Sequence, residues 1–367
     1  MANLYKAPRG TADILPAESG KWKYVEDVML GAAALFGYRE LRTPVFEHTE
    51  VFTRSVGDTT DVVQKEMYTF EDKGGRSVTL RPEGTAGAVR ALIEHSLASE
   101  ALPVKACYVL SCYRYEKPQA GRLREFHQFG AECFGAENPA ADAEIILLAL
   151  EILRRLSADK SVSLELNSIG CPDCRARYHE ALRAYFEARK DELCATCRER
   201  LSRNPMRILD CKSPVCAGIA AGAPVMLDYL DDACAAHFEA VKEHLTAAGA
   251  EFSVNPRIVR GLDYYTRTVF EFVSSDVGAQ GTVCAGGRYD GLVEQMGGPS
   301  LPSLGFALGT ERLLMLMKAA GAAFPGDPPC IVYIAPIGEA ARRRATVLCD
   351  GLRGTGIHAQ TDLAGRS

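Results

Sequence analysis

The sequence predicts an α+β fold, and three observations carry that prediction. Two long runs with strand character, residues 104–115 and 123–134, flank a loop holding Lys117, Pro118, Gln119 and Gly121, and so read as an antiparallel hairpin. Segments of helical period surround them at residues 17–36, 85–95 and 140–156. Between about residues 170 and 250 the strand pattern gives way to charged helical segments, which hold seven of the thirteen cysteines. That block reads as a helical insertion.

In chain order, Trp22, Val25, Met29, Ala32 and Phe36 recur at steps of three and four, the apolar face of a helix that Gly37 ends. Residues 38–46 read as short extended pieces broken by Pro44. Val78, Thr79 and Leu80 form a strand candidate before Arg81-Pro82, and Thr85 stands near the start of a helix. Residues 162–167 alternate as a strand. After the insertion, strands are expected at 257–259, 268–273, 282–285 and 304–307, followed by a helix at 309–317. Residues 325–329 read as a linker, and a strand at 330–335, a helix at 339–352 and a strand at 357–361 begin an α/β unit. The expected domains are therefore 1–325, containing the Cys-rich insertion at 170–250, and an incomplete α/β domain at 329–367.

Apolar residues make up 47% of the chain and charged residues 24%, a globular composition with material for a sizeable core. No apolar run reaches the roughly 18 residues that span a bilayer, and residues 1–20 lack the order of a secretory leader. The expectation is a cytoplasmic protein with no membrane partner. A net charge of -5 argues against a general nucleic-acid coat but leaves room for a local basic strip on phosphates.

Five segments carry candidate chemistry. The hairpin presents Arg114, Glu116, Arg122, Arg124, Phe126, Gln128 and Glu132; Arg neutralises phosphate and an aromatic ring stacks on a base. The competing reading is a charged solvent face. Leu80-Arg81-Pro82-Glu83-Gly84-Thr85 puts a carboxylate and a hydroxyl at a strand-to-helix turn, suited to an ammonium group or simply to capping. Arg260-Gly261-Leu262-Asp263-Tyr264-Tyr265-Thr266 combines a cation with paired phenols. Ala285-Gly286-Gly287-Arg288-Tyr289-Asp290-Gly291 permits close backbone approach. Gly305 to Leu313 is a Gly-punctuated strand entering a helix that bears Arg312, and it matches neither a Walker loop nor the dinucleotide fingerprint.

Taken together and in this order, these segments resemble the histidyl-tRNA synthetase family of class II aminoacyl-tRNA synthetases. The resemblance runs from Tyr5-Lys6-Ala7-Pro8-Arg9-Gly10-Thr11 to the end of the chain. The helix and strand ending at Pro44 resemble motif 1, a dimer-interface element; residues 113–132 resemble motif 2, and Gly305 to Leu313 motif 3. The segments at 260–266 and 285–292 resemble the two histidine-specific signatures. The resemblance implies a class II antiparallel sheet flanked by helices, and a homodimer. It implies activation of L-histidine with ATP and Mg²⁺, then transfer to the histidine tRNA. Glu83, Thr85 and Gln128 would hold the α-amino group, Glu132 and Tyr265 would read the imidazole, and Tyr264 would line the same pocket. Arg114 and Arg312 would clamp phosphates, Phe126 would stack on adenine, Glu116 would contact ATP or its metal, and Arg122 the triphosphate or the tRNA end. Arg260 would be the catalytic cation between the histidine carboxylate and the α-phosphate. Residues 329–367 would be the first part of an anticodon-reading domain. The rival from the same resemblance is a synthetase-like regulatory subunit of ATP phosphoribosyltransferase.

The cysteines are a separate matter, and the resemblance says nothing for a metal there. Cys171-x-x-Cys174 and Cys194-x-x-Cys197 have zinc-ribbon-like spacing, so one structural Zn²⁺ on these four thiolates is the metal reading. Free thiols in a small helical bundle are the alternative.

Overall fold

The structure is a computed structural model that describes residues 5–57, 60, 62–99, 101–211, 213–276, 281–326 and 329–364. Helix α1 (Pro16–Leu35) buries Val25, Met29, Ala32 and Ala33 on the face anticipated from their spacing. Gly37 follows at φ +83°, the left-handed conformation that closes a helix at least cost to glycine. Strands β1 (Arg39–Glu40) and β2 (Phe46–His48) lead to α2 (Thr49–Val56), then β3 (Tyr68–Glu71), β4 (Ser77–Leu80) and α3 (Thr85–Glu94). The hairpin is β5 (Val104–Tyr113) and β6 (Glu125–Phe134), in antiparallel register from Val104↔Phe134 to Tyr113↔Glu125. Helix α4 (Pro139–Arg155) starts at Asn138, whose side chain accepts the Ala140 N–H. It is followed by β7 (Ser163–Ser168).

The insertion consists of α5 (Pro172–Glu187), α6 (Ala195–Arg203), α7 (Pro214–Ala221) and α8 (Asp232–Ala247) around its own apolar core. Beyond it come β8 (Ser253–Val254), β9 (Thr266–Val273), β10 (Thr282–Arg288), α9 (Leu292–Gln295), β11 (Ser303–Gly309) and α10 (Thr310–Ala319). Eight strands form one sheet in the order β1-β5-β6-β11-β10-β9-β7-β8. Its five internal pairings are antiparallel, and only the outermost strands, β1 and β8, pair in parallel. A second, three-stranded sheet has the order β2-β4-β3.

One expected strand is absent. Residues 256 and 257 form a turn, 258 and 259 belong to no element, and the short strand lies upstream at Ser253–Val254. Asn255 accounts for this: its Oδ1 accepts the Arg257 N–H at 3.0 Å, its carbonyl accepts the Ile258 N–H, and Pro256 denies the ladder a donor. Helix α2, strand β3 and helix α9 lie where no element is expected from sequence.

Contacts divide the chain into two compact units, one of residues 1–15 and 22–322, the other of residues 16–21 and 323–367. In the second, β12 (Val332–Ile334) pairs in parallel with β13 (Ala359–Thr361), and α11 (Glu339–Gly354) between them buries Ala345 and Cys349. Residues 327 and 328 of the expected linker lie outside the described residues.

Candidate active site

The sheet's central strands, with the turn before α3, enclose a cavity of about 340 Å³. Its lining includes Glu83, Thr85, Arg114, Glu116, Arg122, Phe126, Gln128, Arg260, Tyr264, Tyr265 and Arg312. Thus the candidates from the hairpin, the turn at 80–85, the 260–266 segment and helix α10 meet at one place, while Glu132, Arg124, Arg81 and Asp263 do not line it. Arg124 stacks on Tyr115 at 3.9 Å, and Arg81 is spent on the carbonyls of Ser111, Thr43 and Pro44.

Glu132 lies in the floor, with no exposed surface. Thr85 Oγ1 and Tyr108 OH each donate to its Oε1 at 2.7 Å, and Tyr289 OH donates to Oε2. Burial pushes its carboxyl up to about 8, against the pull of those three hydroxyls. The floor closes this tightly because Gly305 stands opposite Glu132 in the β6–β11 register; a Cβ there would lie 1.8 Å from Glu132 Oε2. Thr85, Tyr289 and Gly305 all line the cavity, so Glu132 sits one side chain beneath it.

Glu83 does what the plainer reading of its turn expected and also faces the cavity. Its carboxylate caps α3, accepting the N–H groups of Thr85 at 2.7 Å and Ala86 at 2.8 Å. Burial raises its pKa, opposed by those two amides. Tyr264 packs edge-on to Tyr289 at 5.5 Å and beside Tyr265 at 4.8 Å.

The other end is cationic. Arg114 Nε donates to the Pro82 carbonyl at 2.8 Å, and its guanidinium lies 5.3 Å over Phe126. Arg122 pairs with Glu116. Arg312 is fixed by the carbonyls of Gly121 at 3.0 Å and Thr282 at 2.6 Å. Burial, then the nearby charges of Arg122 and Arg114, lowers its pKa. Three guanidiniums held near one another by the fold call for an anion.

Arg260 links the two ends. It pairs with Glu271, stacks 5.1 Å over Tyr265, and leaves Nε without a partner. Glu271 also accepts the Thr282 hydroxyl at 2.9 Å, whose carbonyl holds Arg312. Glu271 went unnoticed in the sequence, although an acid in the apolar run of β9 was a usable signal. Tyr289 lay in a noted segment without a role. Arg288 of that segment is structural: fully buried, it pairs with Asp142 and Asp290 and donates to the Ala136 carbonyl.

The family model for histidyl-tRNA synthetase matches residues 10–313. The chain belongs to the histidyl-tRNA synthetase family. Relatives of that family named histidine–tRNA ligase include proteins of Caldanaerobacter subterraneus subsp. tengcongensis, 52% identical over 99% of this chain and 87% of its own length, and Acetivibrio thermocellus, 54% identical over the same shares. The apo histidyl-tRNA synthetase of S. aureus shares 39% identity and a TM-score of 0.83, over 99% of this chain and 86% of its own. No described helix is long and apolar enough to cross a membrane.

The single zinc site expected on Cys171, Cys174, Cys194 and Cys197 is not what the fold assembles. Cys171 and Cys174 lie at the start of α5, while Cys194 follows its end. A helix of 16 residues is about 24 Å long, so the intervening chain carries the second pair away from the first. Each pair instead meets ligand atoms further along the sequence, in two separate clusters.

Proposed function

We infer that the chain is a histidine–tRNA ligase whose cavity brings L-histidine and ATP together. The observation that carries this reading is the two-ended cavity bridged by Arg260. At one end, Glu83, Thr85 and Gln128 offer acceptors to an α-ammonium, and Tyr264 and Tyr265 form the walls of a ring-sized pocket over Glu132. An imidazole presents one N–H and one bare nitrogen, which a phenol and an acid can satisfy together. Glu132, with a pKa near 8, can hold or release a proton close to where imidazole itself titrates. It reaches the ring once a hydroxyl such as that of Tyr289 gives way.

At the other end Arg114 and Arg312 clamp the triphosphate, Arg122 guides it or the tRNA end, and Phe126 offers its face to adenine. Glu116 and Glu311 line this end, and oxygen donors of this kind fit Mg²⁺, which keeps most of its sphere for phosphate and water. When bound, Mg²⁺ would offset charge on the phosphate chain. A carboxylate oxygen of histidine attacks the α-phosphorus, and the bond to the β-phosphate breaks with release of pyrophosphate. Arg260 would offset charge on both reactants and, more strongly, on the oxygens of the five-coordinate phosphorus between them. A terminal ribose hydroxyl of the tRNA then attacks the acyl carbon and AMP leaves. Neither step needs an enzyme nucleophile, so positioning supplies the rate.

The same reading assigns residues 329–367 to an anticodon-reading α/β domain, and the reaction to the cytoplasm. It also makes the protein a homodimer. The three-stranded sheet and its approach leave Val45, Phe46 and Phe70 exposed, an apolar face for a second copy to cover. Histidine-dependent exchange of labelled pyrophosphate into ATP is the test. Exchange that requires histidine is expected; its absence from the folded chain would overturn the ligase in favour of a synthetase-like regulatory subunit.

A further inference from the structure

The insertion holds two clusters that the aminoacylation chemistry does not use. In one, the ligand atoms of Cys194, Cys197, Cys211 and Cys216 all lie within 4.8 Å of one another; in the other, so do those of Cys171, Cys174, Cys234 and Asp231. We propose that each cluster binds one structural zinc ion, the first through four thiolates and the second through three thiolates and the Asp231 carboxylate.

The geometry suits a tetrahedral ion. With Zn–S bonds of about 2.3 Å, the sulfurs of a tetrahedron stand about 3.8 Å apart. Here Cys194 Sγ and Cys211 Sγ are 3.9 Å apart, and Cys171 Sγ and Cys174 Sγ 3.5 Å. These separations are far too long for disulfides, and all thirteen cysteines are unpaired. A span of 4.8 Å leaves room for one ion. Four soft thiolates in a tetrahedron select zinc over harder cations.

Asp231 is divided between two tasks. Its Oδ1 accepts the Cys234 N–H at 2.7 Å and caps α8, while its Oδ2 lies 3.2 Å from both Cys171 Sγ and Cys174 Sγ. One oxygen therefore faces the thiols with its direction fixed by the other. Backbone amides also point at sulfur: Asp231 N–H meets Cys174 Sγ at 3.1 Å, and Cys194 N–H meets Cys216 Sγ at 3.3 Å. Such outer contacts orient metal ligands and suit the charge of a thiolate. The four helices repeat one arrangement, with Cys174, Cys197, Cys216 and Cys234 each the third residue of its helix. The positive ends of all four helices thereby face the clusters.

The ions would staple the insertion at two levels. The second site joins its first helix to its last, and the first ties α6 to α7 and to the chain before it. The core between them is small, and the buried cysteines are part of it.

The test is zinc content of the full chain, purified without chelator and reloaded with ZnCl₂ under reducing conditions. Two equivalents per chain are expected, with thirteen free thiols once zinc is removed in denaturant. One equivalent or less, or a thiol count lowered by disulfides, overturns the pair. Cys211→Ser and Cys234→Ser should each lose one equivalent and keep the other; loss of neither contradicts the ligand sets. Asp231→Asn keeps a capping oxygen but not the charge, and should speed chelator extraction of one zinc at least tenfold. An unchanged rate removes Asp231 from the site. Should a variant fail to fold, the wild-type chain loaded with Co²⁺ decides alone: intense tetrahedral d–d bands at two equivalents support the sites, and octahedral spectra sink them.

Discussion

The floor of the active-site cavity and the core of the insertion both bury polar side chains, and they satisfy them in different ways. In the floor, Glu132 accepts from Thr85, Tyr108 and Tyr289, and a step away Arg288 pairs with Asp142, which His237 also meets at 3.2 Å. The Glu132 carboxylate and the Arg288 guanidinium find their partners in protein groups, as buried polar atoms require. In the insertion, Cys174, Cys197, Cys216 and Cys234 are buried with thiols facing thiols, and the group that would complete them comes from solution. The first arrangement draws its partners from the protein; the second is finished by its ligand. That difference orders the following expectations.

The largest effect should come from the cation that spans the cavity. Arg260→Ala should lower the rate of adenylate formation by about 10²–10³, the loss seen when one preorganised donor to a transition-state charge is removed. Histidine binding should survive, because the contact gains its value at the transition state. Arg260→Lys should also be poor, since a point charge cannot both pair with Glu271 and stack on Tyr265. Pre-steady-state adenylate formation measures it, and a rate within a few-fold of the parent would remove Arg260 from the chemistry.

Next is the floor's packing. Gly305→Ala places a methyl 1.8 Å from Glu132 Oε2 and 2.7 Å from the Ala131 carbonyl oxygen, on the strand that faces it. Overpacking of this kind costs about 1–3 kcal/mol. The urea midpoint should fall and the histidine KM rise together. A midpoint equal to the parent's would mean that the floor yields easily.

Glu132 gives a pH signature. Its folded pKa, raised to about 8, exceeds the ordinary 4.5 of an unfolded chain. Between those values the unfolded chain has released the proton that the folded chain keeps, so stability falls as pH rises through the window and levels off above about 8. Glu132→Gln should flatten that slope in Tm measured from pH 5 to 9. It should also lower kcat/KM for histidine, by about 1–3 kcal/mol equivalent, with ATP affected less. An unchanged slope would place the titration elsewhere; a loss confined to ATP would mislocate the pocket.

The two regions also differ in how far they are legible in the sequence. The active-site segments are short and contiguous, and each owes its shape to local rules: a cap at Glu83, a hairpin around Pro118 and Gly121, alternation along β6 and β11. Their residues could be grouped before the fold was seen. Glu132's depth could not, because it depends on Gly305 across the sheet and on Tyr289 from a third segment. The cysteine partition was hidden for the same reason. Spacing alone joined Cys171–Cys174 to Cys194–Cys197, but the helix between them separates the pairs, and the partners Cys211, Cys216, Asp231 and Cys234 are set by tertiary packing. The expected strand at 257–259 failed more locally, to an Asx turn that Asn255-Pro256 could have announced.

The smallest effect concerns the seam between the two regions. Arg175, on the first turn of α5 beside the Cys174 cluster, donates through Nη1 to the Tyr265 carbonyl at 2.9 Å. Arg207 reaches the Gly261 carbonyl of the same segment at 2.6 Å. The insertion thus holds the backbone that presents Tyr264, Tyr265 and Arg260 to the cavity. Arg175→Ala removes one half-buried hydrogen bond from a cation, a loss of order 1 kcal/mol. Spread over a segment that Arg207 still restrains, it should raise the histidine KM about fivefold and leave the ATP KM nearly unchanged. If the clusters are filled as proposed, partial chelation of the wild-type chain should push the histidine KM the same way, because α5 carries both Cys174 and Arg175. Chelation should add little to the Arg175→Ala chain, whose link is already cut. Steady-state pyrophosphate exchange at varied histidine, with and without chelator, measures both. A histidine KM unmoved by Arg175→Ala would show the cavity and the insertion to be independent, whatever the cysteines bind.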